Sequence, residues 1–149
     1  MGEPPIQRWS GPDLYRRPED TTPEEYGAQL VTEFRAKVES LGPENVAAFF
    51  AEPIMGAGGV LMPPPGYLPG MREACTEYGI LYVSDEVVTA FGRLGHMFAS
   101  EDAFGIVPDI ISSAKGLTSA YAPLSATTSS DESYDVFSVP HAEGSVFSP

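Results

Sequence analysis

Three short apolar runs, each bordered by a charged residue, set the pattern of this chain. Residues 46–51 lead into Glu52, residues 80–84 lead into Asp85, and residues 109–113 are followed closely by Lys115. Apolar runs without polar alternation are typical of strands buried on both faces, as in a parallel sheet flanked by helices. We therefore predict three strands of one mostly parallel sheet.

Two amphipathic segments accompany these runs. A first helix is predicted from Thr22, because Thr22-Pro-Glu-Glu combines a helix-capping threonine, a first-turn proline and N-terminal acids. Its apolar positions recur at helical spacing and end before Gly42-Pro43: Leu30, Val31, Phe34 and Val38. A second helix is predicted over residues 67–78, ending at Gly79. Its apolar stripe consists of Leu68, Met71, Cys75 and Tyr78.

The other segments are predicted to be irregular. Residues 1–22 are rich in Pro, Arg and polar groups, residues 129–149 are rich in Ser, Asp, Glu and Pro, and residues 92–108 form mostly loop with one short helix. A strand, a helix and a strand within about forty residues make the βαβ pattern, whose crossover is almost always right-handed. The pattern therefore predicts one α/β domain with three layers.

The charge balance excludes several classes of partner. The chain has 21 acidic and 8 basic residues, a net charge of −13 and a pI near 4.3, so neither nucleic acid nor an anionic membrane is an expected partner. The single cysteine, Cys75, excludes an internal disulfide framework and indicates a reducing, cytoplasmic compartment. No apolar stretch approaches the roughly 20 residues of a membrane span. His96 and His141 lack ligand-like spacing, so no metal site is expected.

Asp85 and Lys115 are candidate site residues because of where their strands end. Ligands of parallel sheets sit beyond the carboxyl ends of the strands, so a carboxylate and an amine placed there face one crevice. This pair suits pyridoxal phosphate, which needs a lysine amine for its aldehyde and an acid for its ring nitrogen. Two simpler roles stay open, since Lys115 can extend to solvent and Asp85 can cap the turn after its strand. A P-loop site is excluded here, because neither lysine is preceded by glycine.

Two features near the end of the first strand carry weaker signals. Glu52 is either a second acid in the same crevice or a plain turn residue, and the sequence alone favours the turn. The glycine loop at residues 56–59 is followed by prolines instead of a helix with an N-terminal Ser or Thr. Because a phosphate cradle needs such a helix, we predict a tight structural loop.

Six stretches between residues 46 and 127 resemble the class III pyridoxal-phosphate aminotransferases, the group that includes ω-amino acid:pyruvate and ornithine aminotransferases. They are Phe-Phe-Ala-Glu-Pro-Ile-Met-Gly-Ala-Gly-Gly, Pro-Pro-Gly-Tyr-Leu, Tyr-Gly-Ile-Leu-Tyr-Val-Ser-Asp-Glu-Val, Phe-Gly-Arg-Leu-Gly, Pro-Asp-Ile-Ile and Ala-Lys-Gly-Leu. Any one stretch is a weak signal, but six in the same order are highly specific. The resemblance implies part of the large domain of the aspartate-aminotransferase-like fold, and transamination between an amine or ω-amino acid and a keto acid such as pyruvate.

The resemblance also implies roles for four residues. Lys115 looks like the catalytic Schiff-base lysine, and Asp85 like the partner of the cofactor's ring nitrogen. Val87 would pack on one face of the ring, and Glu52 would shape the site behind it. Val88 stands where many members have glutamine, which mildly favours the amine:pyruvate side of the family.

Members of this family are roughly three times longer, with two domains in one chain. The resemblance therefore implies that residues 1–149 are one incomplete cofactor-binding domain, and that the complete protein is a homodimer. The segments that grip the cofactor phosphate and the substrate carboxylate would lie outside this stretch. Two alternatives stay open: a non-catalytic fragment, or an acidic interaction module, which would not explain why Lys115 ends its strand. Ala120 departs from the glycine usual in the loop after the lysine.

Overall fold

The computed structural model of the protein describes residues 6–138. Its helices are α1 (Pro23–Leu41), α2 (Tyr67–Tyr78), α3 (Ala99–Phe104) and α4 (Asp131–Ser138). Its strands are β1 (Ala48–Ala51), β2 (Leu81–Asp85), β3 (Ile110–Ser113) and β4 (Ala126–Ser129). Three short 3-10 turns occupy Leu14–Arg16, Pro43–Asn45 and Lys115–Leu117. The three predicted strands and both long predicted helices are confirmed, as is a short helix within residues 92–108.

The strands form one sheet in the order β1-β2-β3-β4. The first three run parallel, with Ala51 opposite Ser84 and Asp85 opposite Ser112, and β4 runs antiparallel to β3. The predicted α/β class with a mostly parallel sheet is thus confirmed. Strand β4 was not predicted, because Ala-Thr-Thr-Ser has no apolar run. The strand conformation of β4 depends on its backbone pairing with β3.

Helix α1 begins at the predicted residue because its first turn is capped from both directions. Thr22 Oγ1 accepts a hydrogen bond from the Glu25 amide, and the Glu25 carboxylate accepts one from the Thr22 amide. Pro23 occupies the first helical position, where no amide donor is needed. Gly42, with a φ of 82°, ends the helix. These local contacts explain why both helix ends could be predicted from sequence.

The hydrophobic core lies between α1, α2 and one face of the sheet. Its aromatic residues form a continuous series of ring contacts from Trp9 through Phe34 and Phe49 to Tyr82, with centroid separations of 5.1 to 5.5 Å. The apolar stripes of the two helices complete the core with Leu30, Val38, Leu68, Met71 and Cys75. Helix α3 joins the same face, since Ser100 contacts Ser84 there. This packing fixes the face of the sheet that the helices cover.

The opposite face of the sheet is only partly covered, since Val83 is 3% exposed there whereas two other apolar side chains are open to solvent. Side chains alternate along a strand, so Phe50 and Leu81 point away from the face that carries Phe49 and Tyr82. They are 70% and 40% exposed, respectively. Within residues 6–138, helices α1, α2 and α3 thus all serve a single face, which leaves the carboxyl edge of the sheet open from the other side.

The two terminal segments differ in how well they match the prediction. Residues 6–22 contain no helix or strand beyond the 3-10 turn Leu14–Arg16, as expected. The irregular tail predicted from Ser129 is wrong for residues 131–138, which form α4. Ser130 Oγ accepts a hydrogen bond from the Ser133 amide, and Asp131 and Glu132 lie in the first turn, where acids favour a helix. Residues 1–5 and 139–149 lie outside the described part.

No helix in residues 6–138 is long and apolar enough to cross a membrane.

Candidate functional site

The carboxyl ends of β1 and β2 bring two of the predicted site residues together. Glu52 directly follows Ala51, which is opposite Ser84, so Glu52 and Asp85 are neighbours across the sheet. Both side chains are half-buried and line one open cavity of about 280 Å³. Its other walls are mostly apolar, with Trp9, Phe49, Phe50, Met55 and Tyr67 among them. The predicted crevice at this sheet edge therefore contains two carboxylates in largely apolar surroundings.

Asp85 combines a turn contact with an oxygen that is available for a ligand. Its Oδ1 accepts a hydrogen bond from the Val87 amide at 3.0 Å, which is the turn-capping role left open by the sequence. Within residues 6–138, Oδ2 has no hydrogen-bond partner and Asp85 forms no ion pair. One carboxylate oxygen can thus hold the local turn while the other stays available to a donor in the cavity.

Glu52 holds the loop that follows β1. Its Oε2 accepts a hydrogen bond from the Gly56 amide at 2.9 Å, so the turn role favoured by the sequence is confirmed. In the glycine loop, the amides of Gly59 and Val60 both donate to the Gly56 carbonyl, and Met55 pairs with Leu61. Because these donors are used inside a closed hairpin, the loop is structural and does not form a phosphate cradle.

The loops after β1 and β2 are in contact through valine and glycine. Val87 and Val88 are both half-buried in the turn that follows Asp85. A Cβ placed on Gly56 would lie 3.3 Å from Val88 Cγ2, so the two loops approach as closely as a glycine permits. Val88 therefore contacts the Glu52 loop, while Val87 lies next to the carboxylate that it helps to hold.

Lys115 lies at the same sheet edge but outside the cavity shared by the two carboxylates. It opens the 3-10 turn Lys115–Leu117, and its side chain is exposed. The register places it three residues beyond Ser112, the partner of Asp85. A strand separation of about 5 Å and a three-residue reach of about 10 Å place the Asp85 and Lys115 Cα atoms within about 15 Å of each other. The two side chains and one heterocyclic ring between them can together span that distance.

Two aromatic residues on the cavity wall have notable polar groups. Burial raises the pKa of the Tyr67 hydroxyl above its usual range, so this group stays protonated at neutral pH. Trp9 Nε1 is buried and lacks a hydrogen-bond partner among the described residues. Its ring is nevertheless held by edge contact with Phe34. The wall thus contributes neutral, mostly apolar surface around the two acids.

Glu86 is a buried acid that the sequence analysis did not single out. It is fully buried, and its carboxylate accepts hydrogen bonds from the amides of Ala99 and Ser100 at 2.7 and 2.8 Å, and from the hydroxyls of Thr89 and Ser100 at 3.2 and 2.5 Å. The usable signal was its position after Asp85. Consecutive strand residues face opposite sides, so an acid beside a cavity-facing Asp85 must point into the covered layer, where it needs donors.

The sequence matches the family model described as aminotransferase class-III over residues 4–148. The chain belongs to this family. Among curated relatives, a probable aminotransferase of Mycobacterium tuberculosis is 48% identical over 84% of the chain and 27% of its own length. The putrescine–pyruvate aminotransferase of Pseudomonas aeruginosa is 43% identical over 89% of the chain and 29% of its own length.

Solved aminotransferase structures share the same fold. An (S)-enantioselective omega-transaminase from Thermomicrobium roseum matches with a TM-score of 0.80 and 46% identity, over 84% of this chain and 28% of its own. The omega-transaminase from Pseudomonas jessenii in complex with PMP matches with a TM-score of 0.82 and 38% identity, over 85% of this chain and 28% of its own. The chain therefore spans less than a third of the length of these relatives.

Proposed function

We propose that this chain supplies the lysine and the ring-nitrogen carboxylate of a pyridoxal-phosphate-dependent transaminase. The observation that carries the proposal is the placement of Asp85 at the carboxyl end of β2 and of Lys115 just after the adjacent parallel strand β3, with Asp85 Oδ2 unpaired among the described residues. An amine and a carboxylate at one sheet edge are the two groups that the cofactor requires at opposite ends of its ring.

The side chains present fit this cofactor chemically. Pyridoxal phosphate supplies an aldehyde that condenses with amines and a ring that withdraws electrons when its nitrogen is protonated. Asp85 Oδ2 would accept the hydrogen bond from that nitrogen and hold its proton. Val87, next to Asp85, would pack against the ring, and Glu52 would close the site behind it while holding its own loop.

Lys115 would carry both the binding and the proton-transfer steps. Its amine would bind the cofactor aldehyde covalently in the resting protein. Once released from the cofactor, Lys115 Nζ would be a free base at the site, and it would remove a proton from the substrate carbon and return it. Because Lys115 is exposed at the start of a short turn, its side chain would be able to reach both the cofactor aldehyde and the substrate carbon.

For the substrates, we propose an amine or ω-amino acid as donor and a keto acid, with pyruvate as the first candidate acceptor. Relatives named as a putrescine–pyruvate aminotransferase and as gamma-aminobutyrate transaminases, the latter from rice and 48% identical, support a donor whose amine is remote from any carboxylate.

We further propose that the complete protein is a cytoplasmic homodimer. Within residues 6–138 there is no arginine on the cavity wall to bind a substrate carboxylate.

The test uses the purified chain, pyridoxal phosphate and borohydride, which fixes the cofactor onto the lysine that has bound it. The chain has two lysines, and Lys37 on α1 is the internal reference for non-specific reaction. Peptide mass analysis should find the label on Lys115 in clear excess over Lys37. Lys115→Ala should remove the labelled peptide and the yellow colour, while Lys37→Ala should keep both.

Equal labelling of both lysines would favour the alternative that the isolated chain is a non-catalytic piece. The same pair of variants in the protein that carries the flanking segments then decides the activity. Alanine formation from pyruvate with putrescine as donor should be lost in Lys115→Ala and kept in Lys37→Ala. Turnover that survives Lys115→Ala would refute the proposal.

A further inference from the structure

Phe91 has a backbone conformation that is unfavourable for its residue type. Its φ is 59°, in the left-handed region that residues with a side chain rarely adopt. The hairpin formed by residues 91–97 maintains this conformation, because the amides of Phe91 and Gly92 donate to the carbonyls of Met97 and His96 at 2.7 and 2.9 Å. The Phe91 ring also packs on Phe98, with centroids 5.9 Å apart. Such strain persists only where the surroundings enforce it.

Gly116, directly after Lys115, has no room for a side chain. A Cβ at this position would lie 2.8 Å from Phe91 Cβ, 3.2 Å from Phe91 Cδ2 and 3.4 Å from the Ala90 carbonyl oxygen. Ordinary contacts begin at 3.4 Å, so even a methyl group would force the two loops apart by about half an ångström. Gly116 has no positive φ, which means that space, and not backbone freedom, requires the glycine here.

These two features join the loops that carry the proposed site residues. Phe91 lies six residues after Asp85 in the loop that follows β2, and Gly116 lies in the turn that starts at Lys115. The contact between them therefore joins the lysine turn directly to the loop after Asp85, in addition to the hydrogen bond from the Glu86 amide to the Ser112 carbonyl.

We propose that Phe91 and Gly116 are positioning residues, and that their close contact sets the placement of Lys115 relative to Asp85. The strained backbone of Phe91 presents its Cβ to Gly116, and the absent side chain of Gly116 lets the lysine turn rest directly against it. This inference rests on the proposed function for the role of Lys115, but the contact itself can be tested without the cofactor.

The first measurement is the rate of borohydride-trapped pyridoxal phosphate at Lys115, with Lys37 as reference. Gly116→Ala should lower the Lys115 rate by about tenfold, because ångström-scale misplacement of a reacting group has effects of this order or larger, and should leave the Lys37 rate unchanged. In the Gly116→Ala background, Phe91→Gly removes the opposing Cβ and tolerates a positive φ, whereas Phe91→Ala keeps both the Cβ and the strain. Phe91→Gly should therefore restore the rate and Phe91→Ala should not. The two single Phe91 variants measure the effect of losing the ring.

The second measurement is amide hydrogen exchange without cofactor. The Gly92 amide, bonded to His96, reports the hairpin, and the Leu117 amide, bonded to Ala114, reports the lysine turn. Gly116→Ala should speed exchange at both amides, and adding Phe91→Gly should return Leu117 to the wild-type rate.

Three results would overturn the inference. They are wild-type trapping at Lys115 in Gly116→Ala, equal behaviour of the two double variants, or exchange that changes at Leu117 without changing at Gly92. A wild-type chain in which Lys115 traps no more cofactor than Lys37 would instead favour the non-catalytic alternative for the isolated chain, and amide exchange would then decide the contact by itself.

Discussion

Acidic side chains on the helix-covered face of the sheet have more hydrogen-bond donors than those at its carboxyl edge. On the covered face, Glu86 has four donors, and Asp109 pairs with Arg72 and accepts a hydrogen bond from the Tyr82 amide at 2.7 Å. At the edge, Asp85 and Glu52 each have one backbone donor and no cation among residues 6–138.

The number of donors distinguishes the carboxylates that stabilise the fold from those that are available to bind a ligand. A fully partnered acid stabilises its surroundings and has nothing left to offer. An acid with a spare oxygen on an open cavity contributes little to stability and can bind. The backbone shows the same division, since Val60, Phe91, Ser119 and Ala120, the non-glycine residues with positive φ in the described part, all lie in loops at the edge.

Glu86 and Asp85 are adjacent acids with opposite expected sensitivities. Glu86→Gln replaces one acceptor oxygen by a donor that faces other donors, and should lower the free energy of unfolding by about 2–4 kcal/mol. Asp85→Asn keeps the acceptor for the Val87 amide and should change the free energy of unfolding by less than about 1 kcal/mol. Urea unfolding of both variants measures the contrast. Equal losses would remove the distinction between the two regions.

Arg72 and Asp109 form the ion pair that secures β3 to α2 on the covered face. Both side chains are mostly buried, with 26% and 20% of their surface exposed. Arg72→Met leaves the Asp109 carboxylate with a single donor among the described residues, the Tyr82 amide, and should lower the free energy of unfolding by about 1–2 kcal/mol. A double-mutant cycle with Asp109→Asn should return a coupling energy of about 1 kcal/mol. Additive single effects would show that the pair contributes nothing as a pair.

Cys75 gives the covered face a pH dependence. Burial raises the pKa of its thiol from 9.0 to about 12. Since the folded pKa is above the unfolded value, the associated stability is complete below pH 9 and is lost as the pH rises from 9 towards 12. Between pH 9 and 10, the free energy of unfolding should therefore fall by about 1 kcal/mol less in Cys75→Ala than in the wild-type chain. Reaction of the native thiol with a disulfide reagent at pH 8 before unfolding would contradict this burial.

The left-handed backbone conformation of Ala120 is a source of strain at the carboxyl edge, and its energetic cost can be measured. Its φ of 65° suits glycine, the residue usual here in the resembling family. Ala120→Gly should raise the free energy of unfolding by about 0.5–1 kcal/mol, because relief of the left-handed conformation exceeds the added entropy of the unfolded chain. Ala36→Gly, at an exposed position within α1, is the matched control and should be destabilising. The same sign in both would show that Ala120 is unstrained.

Much of the framework could be predicted from sequence because its causes are local. The Thr22 to Glu25 cap, the Gly42 and Gly79 ends and the three apolar runs each depend on neighbours within a few residues. The same runs located Glu52, Asp85 and Lys115 at strand ends, and the family followed from six short stretches. Strand β4 and helix α4 were missed, since their sequences resemble those of polar loops.

The α/β class, the family and the edge of the sheet that carries the candidate site follow from the sequence alone. That Glu86 is saturated while Asp85 keeps a spare oxygen depends on the folded chain, because three of the four donors to Glu86 come from Ala99 and Ser100, on a separate element. The tertiary structure likewise decided that Gly116 must lack a side chain, since Phe91 reaches it from another loop. Local patterns fix elements, but hydrogen-bond saturation and close contact depend on residues that meet only when the chain has folded.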